Sequence, residues 1–150
     1  MKVAEILASK GSVVITIKPS ENVGALSRLL RDKRIGAAIV SKDGQTVDGV
    51  ISERDVAYGV SIHKGDLHTL LVSALMTKTV ITCSPGDEVA RVASTMLSRN
   101  IRHIPVHDGR GLVGMVSIRD VLNVRLEELQ RETAQLRSLA NQADREPQDR

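Results

Sequence analysis

The sequence has 150 residues, of which 41% are hydrophobic and 26% charged, a balance typical of ordinary globular proteins and not of disordered or fibrous chains. A single cysteine, Cys83, excludes an intrachain disulfide and a cysteine-ligated zinc module, and no apolar run reaches the roughly 20 residues that span a bilayer. We therefore expect a cytoplasmic protein that does not enter membranes. The net charge of +3 favours anionic partners, while the near absence of aromatic residues argues against base-stacking surfaces.

The chain contains an internal repeat. Residues 14–19 (VITIKP) recur 66 positions later as 80–85 (VITCSP), and the phrase GVISERD at 49–55 recurs as GMVSIRD at 114–120. Upstream, residues 3–7 match 72–76, which predicts that each unit owns a short leading helix. The repeat predicts two units, residues 1–66 and 67–126.

Within each unit the periodicity changes in the same order. In the first unit it predicts a strand at 13–17, a helix behind Pro19, strands at 37–40 and 47–52, and a helix from Glu53. In the second unit it predicts a strand at 80–83, a helix that carries an apolar face, strands at 103–106 and 112–117, and a helix from Ile118; that apolar face consists of Val89, Val92, Ala93, Met96 and Leu97. Each unit is therefore β-α-β-β-α. Because one such unit buries little surface, we expect the two to pack about a pseudo-twofold axis, with clefts between them.

A helical tail is predicted over residues 127–150, where Glu, Gln, Arg, Leu and Ala dominate. Residues alternate three and four positions apart in a weak heptad pattern: Leu126, Leu129, Thr133, Leu136, Ala140 and Ala143. This pattern fits a self-association helix or a solvated helical extension, and the sequence leaves both open. The tail holds six acidic and four basic residues, so the repeated part, with 17 basic and 12 acidic residues, carries the positive charge.

The repeated GVISERD phrase ends a strand and begins a helix, where unpaired amides and the helix dipole favour an anion such as phosphate. An Asp one turn into the helix can accept hydrogen bonds from both hydroxyls of a ribose, while Ser and Arg can serve phosphate oxygens. These groups together indicate a nucleotide. The alternative is a capping box, in which Ser52 and Ser117 are N-caps and Asp55 and Asp120 reach back to the cap amides.

The duplicated unit, with its Thr-x-x-Pro opening and its Gly-x-x-Ser-x-Arg-Asp closing phrase, resembles the CBS domain pair, or Bateman module, over residues 1–126. The resemblance implies an α+β fold of two CBS repeats followed by a C-terminal helix. It also implies a non-catalytic, dimeric regulatory module that signals by a conformational or dimer change to a regulated protein. Its ligand would be AMP or another adenosine compound such as ADP, ATP, NAD(H) or S-adenosylmethionine, bound in clefts between the repeats.

The resemblance also assigns residues to each cleft. In the second-repeat cleft it places Asp120 on the ribose, Ser117 and Arg119 near phosphate, and the remaining contacts on Thr16, Ile35, Gly36, Ala37, Arg102, His103 and Met115. In the first-repeat cleft the pseudo-symmetric set is Val50, Ser52, Arg54, Asp55, Thr82, Ile101, Arg102 and His103. Because Arg102 and His103 stand where the first repeat has Gly36 and Ala37, we expect the Asp120 cleft to hold the anionic ligand. The first repeat also lacks a proline at the position of Pro105, so the two pocket strands are expected to differ.

Other classes of function find less support in the sequence. An enzyme acting on a nucleotide needs a general base or metal carboxylates beside the phosphates, and only His103 is offered, so we expect no catalytic residue, metal or catalytic cofactor. The alternative is a protein–protein interaction or nucleic-acid-binding module without a nucleotide ligand. The lack of aromatics and of a basic recognition helix disfavours nucleic acid.

Overall fold

The computed structural model describes residues 1–11 and 13–145, so the last five residues of the predicted tail lie outside the described part. The first half of the chain contains α1 (Val3–Lys10), β1 (Thr16–Ile17), α2 (Val23–Lys33), β2 (Ala37–Val40), β3 (Gly49–Ser52) and α3 (Glu53–Ile62). The second half contains a 3₁₀ turn (Leu67–Thr69), α4 (Val72–Leu75), α5 (Val89–Arg99), β4 (His103–His107), β5 (Leu112–Ser117) and α6 (Ile118–Ala143). The predicted α+β class and the C-terminal helix are confirmed.

The two sheets are related but unequal. In the first repeat β1 pairs parallel with β2, and β2 pairs antiparallel with β3. In the second repeat β4 and β5 form the antiparallel pair, while the predicted strand at 80–83 is reduced to one bridge between Cys83 and Val106. The predicted strand at 13–17 likewise keeps ladder pairing at Thr16–Ile17, and that at 47–52 begins at Gly49.

Pro105 explains why the second leading strand is so short. In the first repeat the Ile39 amide donates to the Ile15 carbonyl at 3.3 Å and so extends the parallel ladder. The equivalent position in the second repeat is Pro105, which has no N–H to donate. The ladder there retains the bonds from the Cys83 amide to Pro105 O and from the His107 amide to Cys83 O.

Each leading helix packs against the opposite repeat, which the sequence pattern did not predict. The side chains of Val3 and Ile6 in α1 lie in the core of the second repeat, and Val72 of α4 lies in the core of the first. Matching backbone bonds anchor the two helices: the Val3 amide donates to Asp87 O at 2.9 Å, and the Val72 amide donates to Glu21 O at 2.8 Å. The two repeats therefore share core residues and are joined by more than their linker.

Strand β2 is buried on both faces. Ala38 and Val40 belong to the first-repeat core, whereas Ala37 and Ile39 point to the other face and are still fully buried. The burial of Ala37 and Ile39 shows that this second face is covered as well. The predicted packing of sheet against sheet is therefore consistent with the burial pattern, and it leaves clefts at the strand ends.

The core position of Leu26 predicts a large effect on stability. Leu26 is fully buried in α2, whereas Leu97, which the sequence pattern assigned to the apolar face of α5, is 78% exposed. We expect Leu26→Ala to lower the free energy of unfolding by about 2–5 kcal/mol, because it leaves a cavity. The matched change Leu97→Ala should cost well under ~1 kcal/mol in urea unfolding. Equal costs at the two sites would contradict the described packing.

Candidate functional site

The two repeated Ser–Asp pairs form capping boxes. The Ser52 hydroxyl accepts from the Asp55 amide at 3.3 Å, and Asp55 Oδ2 accepts from the Ser52 amide at 2.8 Å. The corresponding distances for Ser117 and Asp120 are 3.2 and 2.8 Å. Within the described residues, Oδ1 of each Asp accepts no hydrogen bond. The cap therefore fixes each carboxylate at a strand-to-helix junction and leaves one oxygen for a ligand.

The first of two clefts between the repeats has a volume of about 250 Å³. It is lined from the first repeat by the beginning of α3 and from the second by the chain before β4. Seven of the eight residues predicted for this cleft line it: Val50, Ser52, Arg54, Asp55, Ile101, Arg102 and His103. Residues that the sequence analysis did not select also line it, namely Gly36, Glu53, Thr77, Thr79, Val80, Ile81 and Asn100.

The second cleft is the pseudo-symmetric counterpart and has a volume of about 380 Å³. Eight of its ten predicted residues line it: Ile35, Gly36, Ala37, Arg102, His103, Met115, Ser117 and Arg119. Asp120 and Thr16 are not among the lining residues, and the side chain of Asp120 is 17% exposed. The unpredicted lining residues include Leu7, Lys10, Arg34 and Glu53. Both volumes are near the lower end of the range of about 300–1,000 Å³ usual for small-molecule sites.

Thr16 and Thr82 do not line the clefts to which they were assigned. Thr16 borders an outer groove with Lys18, and Thr82 borders another with His107. Ile15 and Ile81, one position earlier, line the clefts instead. The assignment of the other residues to a ligand stays a prediction.

A shared wall separates the two clefts. Gly36, Glu53, Arg102 and His103 line both of them. The sequence analysis expected Arg102 and His103 to favour anion binding in the Asp120 cleft. Because both residues line both clefts, they give no such preference. The wall is polar because it brings the Glu53 carboxylate and the His103 imidazole together across Gly36.

The environment of His103 favours its neutral form. Burial is the main cause that lowers the pKa of His103, and the cations Lys10 and Arg102 lower it further, while the carboxylates of Glu53 and Asp120 oppose them. These groups come from α1, α3, α6 and the chain before β4, so the imidazole senses both clefts. An anion that enters either cleft would favour protonation of His103.

Lys10 is one of the second-cleft residues that sequence reasoning missed, and it contacts Asp120 directly. Its ammonium donates to Asp120 Oδ2 at 2.7 Å and to the Met115 carbonyl at 2.9 Å. Burial would raise the pKa of Asp120, but the hydrogen bonds from Lys10 and the Ser117 amide outweigh it, so this pKa lies below its ordinary value. The feature that points to Lys10 is the length of α1, which has eight residues whereas α4 has four. Lys10 lies on the additional turn of α1.

Other reactive groups lie apart from the clefts. Cys83 is buried, and burial raises its pKa to about 11, so the thiol stays protonated near neutral pH. Among residues 1–11 and 13–145, no three His, Cys, Asp or Glu side chains are grouped to hold a metal ion. In the same part of the chain no helix combines the length and the apolar character that crossing a membrane requires.

Comparison with known proteins confirms the resemblance read from the sequence. The family model for the CBS domain matches residues 3–61 and 72–127. A CBS-domain containing protein of Agrobacterium tumefaciens, ATU1752, superposes with a TM-score of 0.79 at 32% identity, over 83% of this chain and 99% of that one.

Two other similar structures contain ligands. The CBS domain protein PAE2072 from Pyrobaculum aerophilum, in complex with AMP, has a TM-score of 0.71 at 27% identity, over 80% of this chain and 89% of that one. The CBS domain pair of protein MJ0100, in complex with 5′-methylthioadenosine and S-adenosyl-L-methionine, has a TM-score of 0.75 at 25% identity, over 85% and 98% of the two chains.

The lowered pKa of His103 predicts a loss of stability on acidification. Because the unfolded chain binds a proton on this residue more readily than the folded chain, the free energy of unfolding should fall as pH drops below about 6.5. Replacement by His103→Gln should flatten this fall in urea unfolding at pH 7.5, 6.5 and 5.5. Replacement of the exposed imidazole, His68→Gln, serves as the control. An unchanged slope in His103→Gln would contradict the assignment.

Proposed function

The chain belongs to the CBS domain family, and on this premise we propose that it is a non-catalytic regulatory module that binds adenosine-containing nucleotides in the clefts between its repeats. One observation carries the proposal. At each strand-to-helix junction a capping box fixes an Asp whose second carboxylate oxygen has no donor within the described residues. A ribose, with two neighbouring hydroxyl donors, suits such an acceptor.

The first cleft offers complementary groups for the rest of the ligand. Val50, Val80, Ile81 and Ile101 supply aliphatic walls, which can hold an adenine ring without aromatic stacking. The beginning of α3 and the Arg54 side chain lie at the same end as Asp55 and can serve a phosphate. AMP is the smallest ligand that uses all of these features.

Similar proteins support adenosine compounds as the class of ligand. Structures of similar chains hold AMP in one case and 5′-methylthioadenosine with S-adenosyl-L-methionine in the other. Their shared part is adenosine, the part that the Asp and the aliphatic walls would recognise. ADP, ATP and NAD(H) contain the same group and belong to the proposed class.

The position of the clefts suggests how binding would be signalled. Each cleft has walls from both repeats. In the first cleft, Arg54 Nη1 donates a hydrogen bond of 3.1 Å to the Asn100 carbonyl and so links the two repeats. A ligand seated there contacts both repeats and favours whichever relative placement gives it more contacts. We propose that this shift is transmitted to a regulated protein, and that no bond of the ligand is made or broken.

Replacement of the ribose acceptor should weaken binding. In Asp55→Asn the amide oxygen can still accept from the Ser52 amide, but the charge that strengthens the ribose bonds is lost. We expect AMP affinity at the first cleft to fall about 10- to 100-fold in isothermal titration calorimetry. Asp32→Asn makes the same change on the exposed surface of α2 and should leave binding unaltered. Equal affinity in the wild type and Asp55→Asn would remove the main support for the proposal.

We also propose that the module is a homodimer in which α6 pairs with α6 of a second copy. Leu122, Leu126, Leu129 and Leu136 form an exposed stripe on this helix, between 55% and 68% exposed. Their spacing of four, three and seven places them all at core positions of a heptad repeat. This observation favours the self-association helix over the solvated extension, because four leucines on one side of an exposed helix need cover.

The charges beside the leucine stripe select a parallel arrangement. In a parallel coiled coil, a residue at heptad position g of one helix lies near the residue at position e of the second helix that is five places later in the sequence. Glu132 of one copy then lies beside Arg137 of the other, and the twofold axis repeats the pair. Residues 129–145 are all exposed, so the helix is free to be covered in this way.

A charge placed in the leucine stripe should dissociate the dimer. We expect Leu129→Glu to shift the mass measured by sedimentation equilibrium from dimer towards monomer, because a carboxylate would be buried between two helices. Ala134→Glu introduces the same side chain away from the stripe and should stay dimeric. A monomeric wild type, or a Leu129→Glu variant as dimeric as the wild type, would contradict pairing through α6.

A further inference from the structure

The two clefts differ sharply in charge. Lys10, Arg34, Arg102 and Arg119 line the second cleft, against the carboxylates of Glu53 in its lining and of Asp120 bonded to Lys10, which gives a net charge of +2. The first cleft has two cations, Arg54 and Arg102, and two carboxylates, Glu53 and Asp55, which cancel. Two sites built on the same repeated frame therefore present different electrostatic environments to a ligand.

Three of the four cations of the second cleft lack a carboxylate partner within the part of the chain that the structure describes. Among residues 1–11 and 13–145, neither Arg34, Arg102 nor Arg119 forms an ion pair with a carboxylate. In the first cleft the Arg54 guanidinium donates to the Asn100 carbonyl at 3.1 Å, although it too forms no ion pair with a carboxylate among the described residues. Unpaired like charges around one cavity repel each other, and a multiply charged anion relieves that repulsion.

Lys10 completes this set from outside the repeated motifs. Its ammonium donates to Asp120 Oδ2 and to the Met115 carbonyl, and its side chain is 41% exposed. The long stem lets the ammonium move without a change in the backbone. If ribose hydroxyls bind Asp120 Oδ1, which has no donor in the described residues, the Lys10 ammonium on Oδ2 lies beside the ribose and can turn towards the phosphates attached to it.

We infer that the second cleft selects nucleotides with two or more phosphates, and that Lys10 is the residue that sets this preference. The inference rests on the proposed function for the adenosine part of the ligand, whereas the phosphate part rests on the cations alone. A triphosphate chain brings enough charge to neutralise the lining. A nucleoside would leave the cations unpaired.

The test compares ligands that differ only in phosphate number. ATP, AMP, adenosine and inorganic tripolyphosphate are titrated calorimetrically into the wild type, Lys10→Met, Lys10→Arg and the surface control Lys64→Met. We expect the wild type and Lys64→Met to bind ATP more tightly than AMP by at least about tenfold. Lys10→Met should lose about 10- to 100-fold in affinity for ATP and tripolyphosphate but not for adenosine, and Lys10→Arg should restore the preference. Thermal unfolding of each variant confirms that it is folded.

The outcomes separate the two proposals. An ATP-to-AMP ratio that is unchanged in Lys10→Met, or an ATP affinity that rises because Lys10 merely blocks the cleft, would overturn the inference while leaving the proposed function standing. Tripolyphosphate binding that depends on Lys10, without any binding of adenosine compounds, would support the phosphate site and overturn the proposed function. Binding of neither ligand would overturn both.

Discussion

The packing of each leading helix into the core of the opposite repeat is the interaction on which the rest of the structure depends. Val3 and Ile6 of α1 complete the second core, and Val72 of α4 completes the first. A unit of about 60 residues buries too small a fraction of its surface to be comfortable alone. Because each core borrows residues from the segment leading into the other repeat, the two repeats are held together, and the clefts between them have walls from both.

The same exchange makes the two clefts unequal. The duplicated frame supplies matching capping boxes at Ser52 and Ser117, so both sites begin with the same acceptor geometry. The extra turn of α1 then carries Lys10 onto Asp120, whereas α4 ends before it can deliver an equivalent group to Asp55. The two clefts therefore share their acceptor geometry and differ mainly in the charged residues around them.

The sequence predicted the elements well where local chemistry decides them. The periodicity of α2 and α5, the strand at 112–117 and the helix starts at Glu53 and Ile118 all depend on nearby residues, and the structure places them as expected. The reduced strand at 80–83 depends on the missing amide of Pro105, which acts through a pairing partner more than 20 residues away. The sequence shows that Pro105 is present, but it does not show which strand Pro105 pairs with.

Most residues of the predicted clefts were identified because the motif that carries them is local. Thr16 and Thr82 were misplaced because the lining of each cleft ends one residue earlier, at Ile15 and Ile81, and only the three-dimensional structure shows where it ends. Lys10 was missed because it lies more than 100 residues from Asp120 and belongs to no repeated phrase. Arg102 and His103 were assigned to both clefts from the sequence, and they line both in the structure.

The central claim, that adenosine compounds bind between the repeats, is tested most directly by mapping backbone amide shifts in ¹H–¹⁵N NMR spectra as AMP or ATP is added. The account predicts that the largest shifts fall at the helix starts after Ser52 and Ser117 and on the shared wall at Gly36 and His103. Shifts confined to α6, or no shifts at saturating nucleotide, would contradict it.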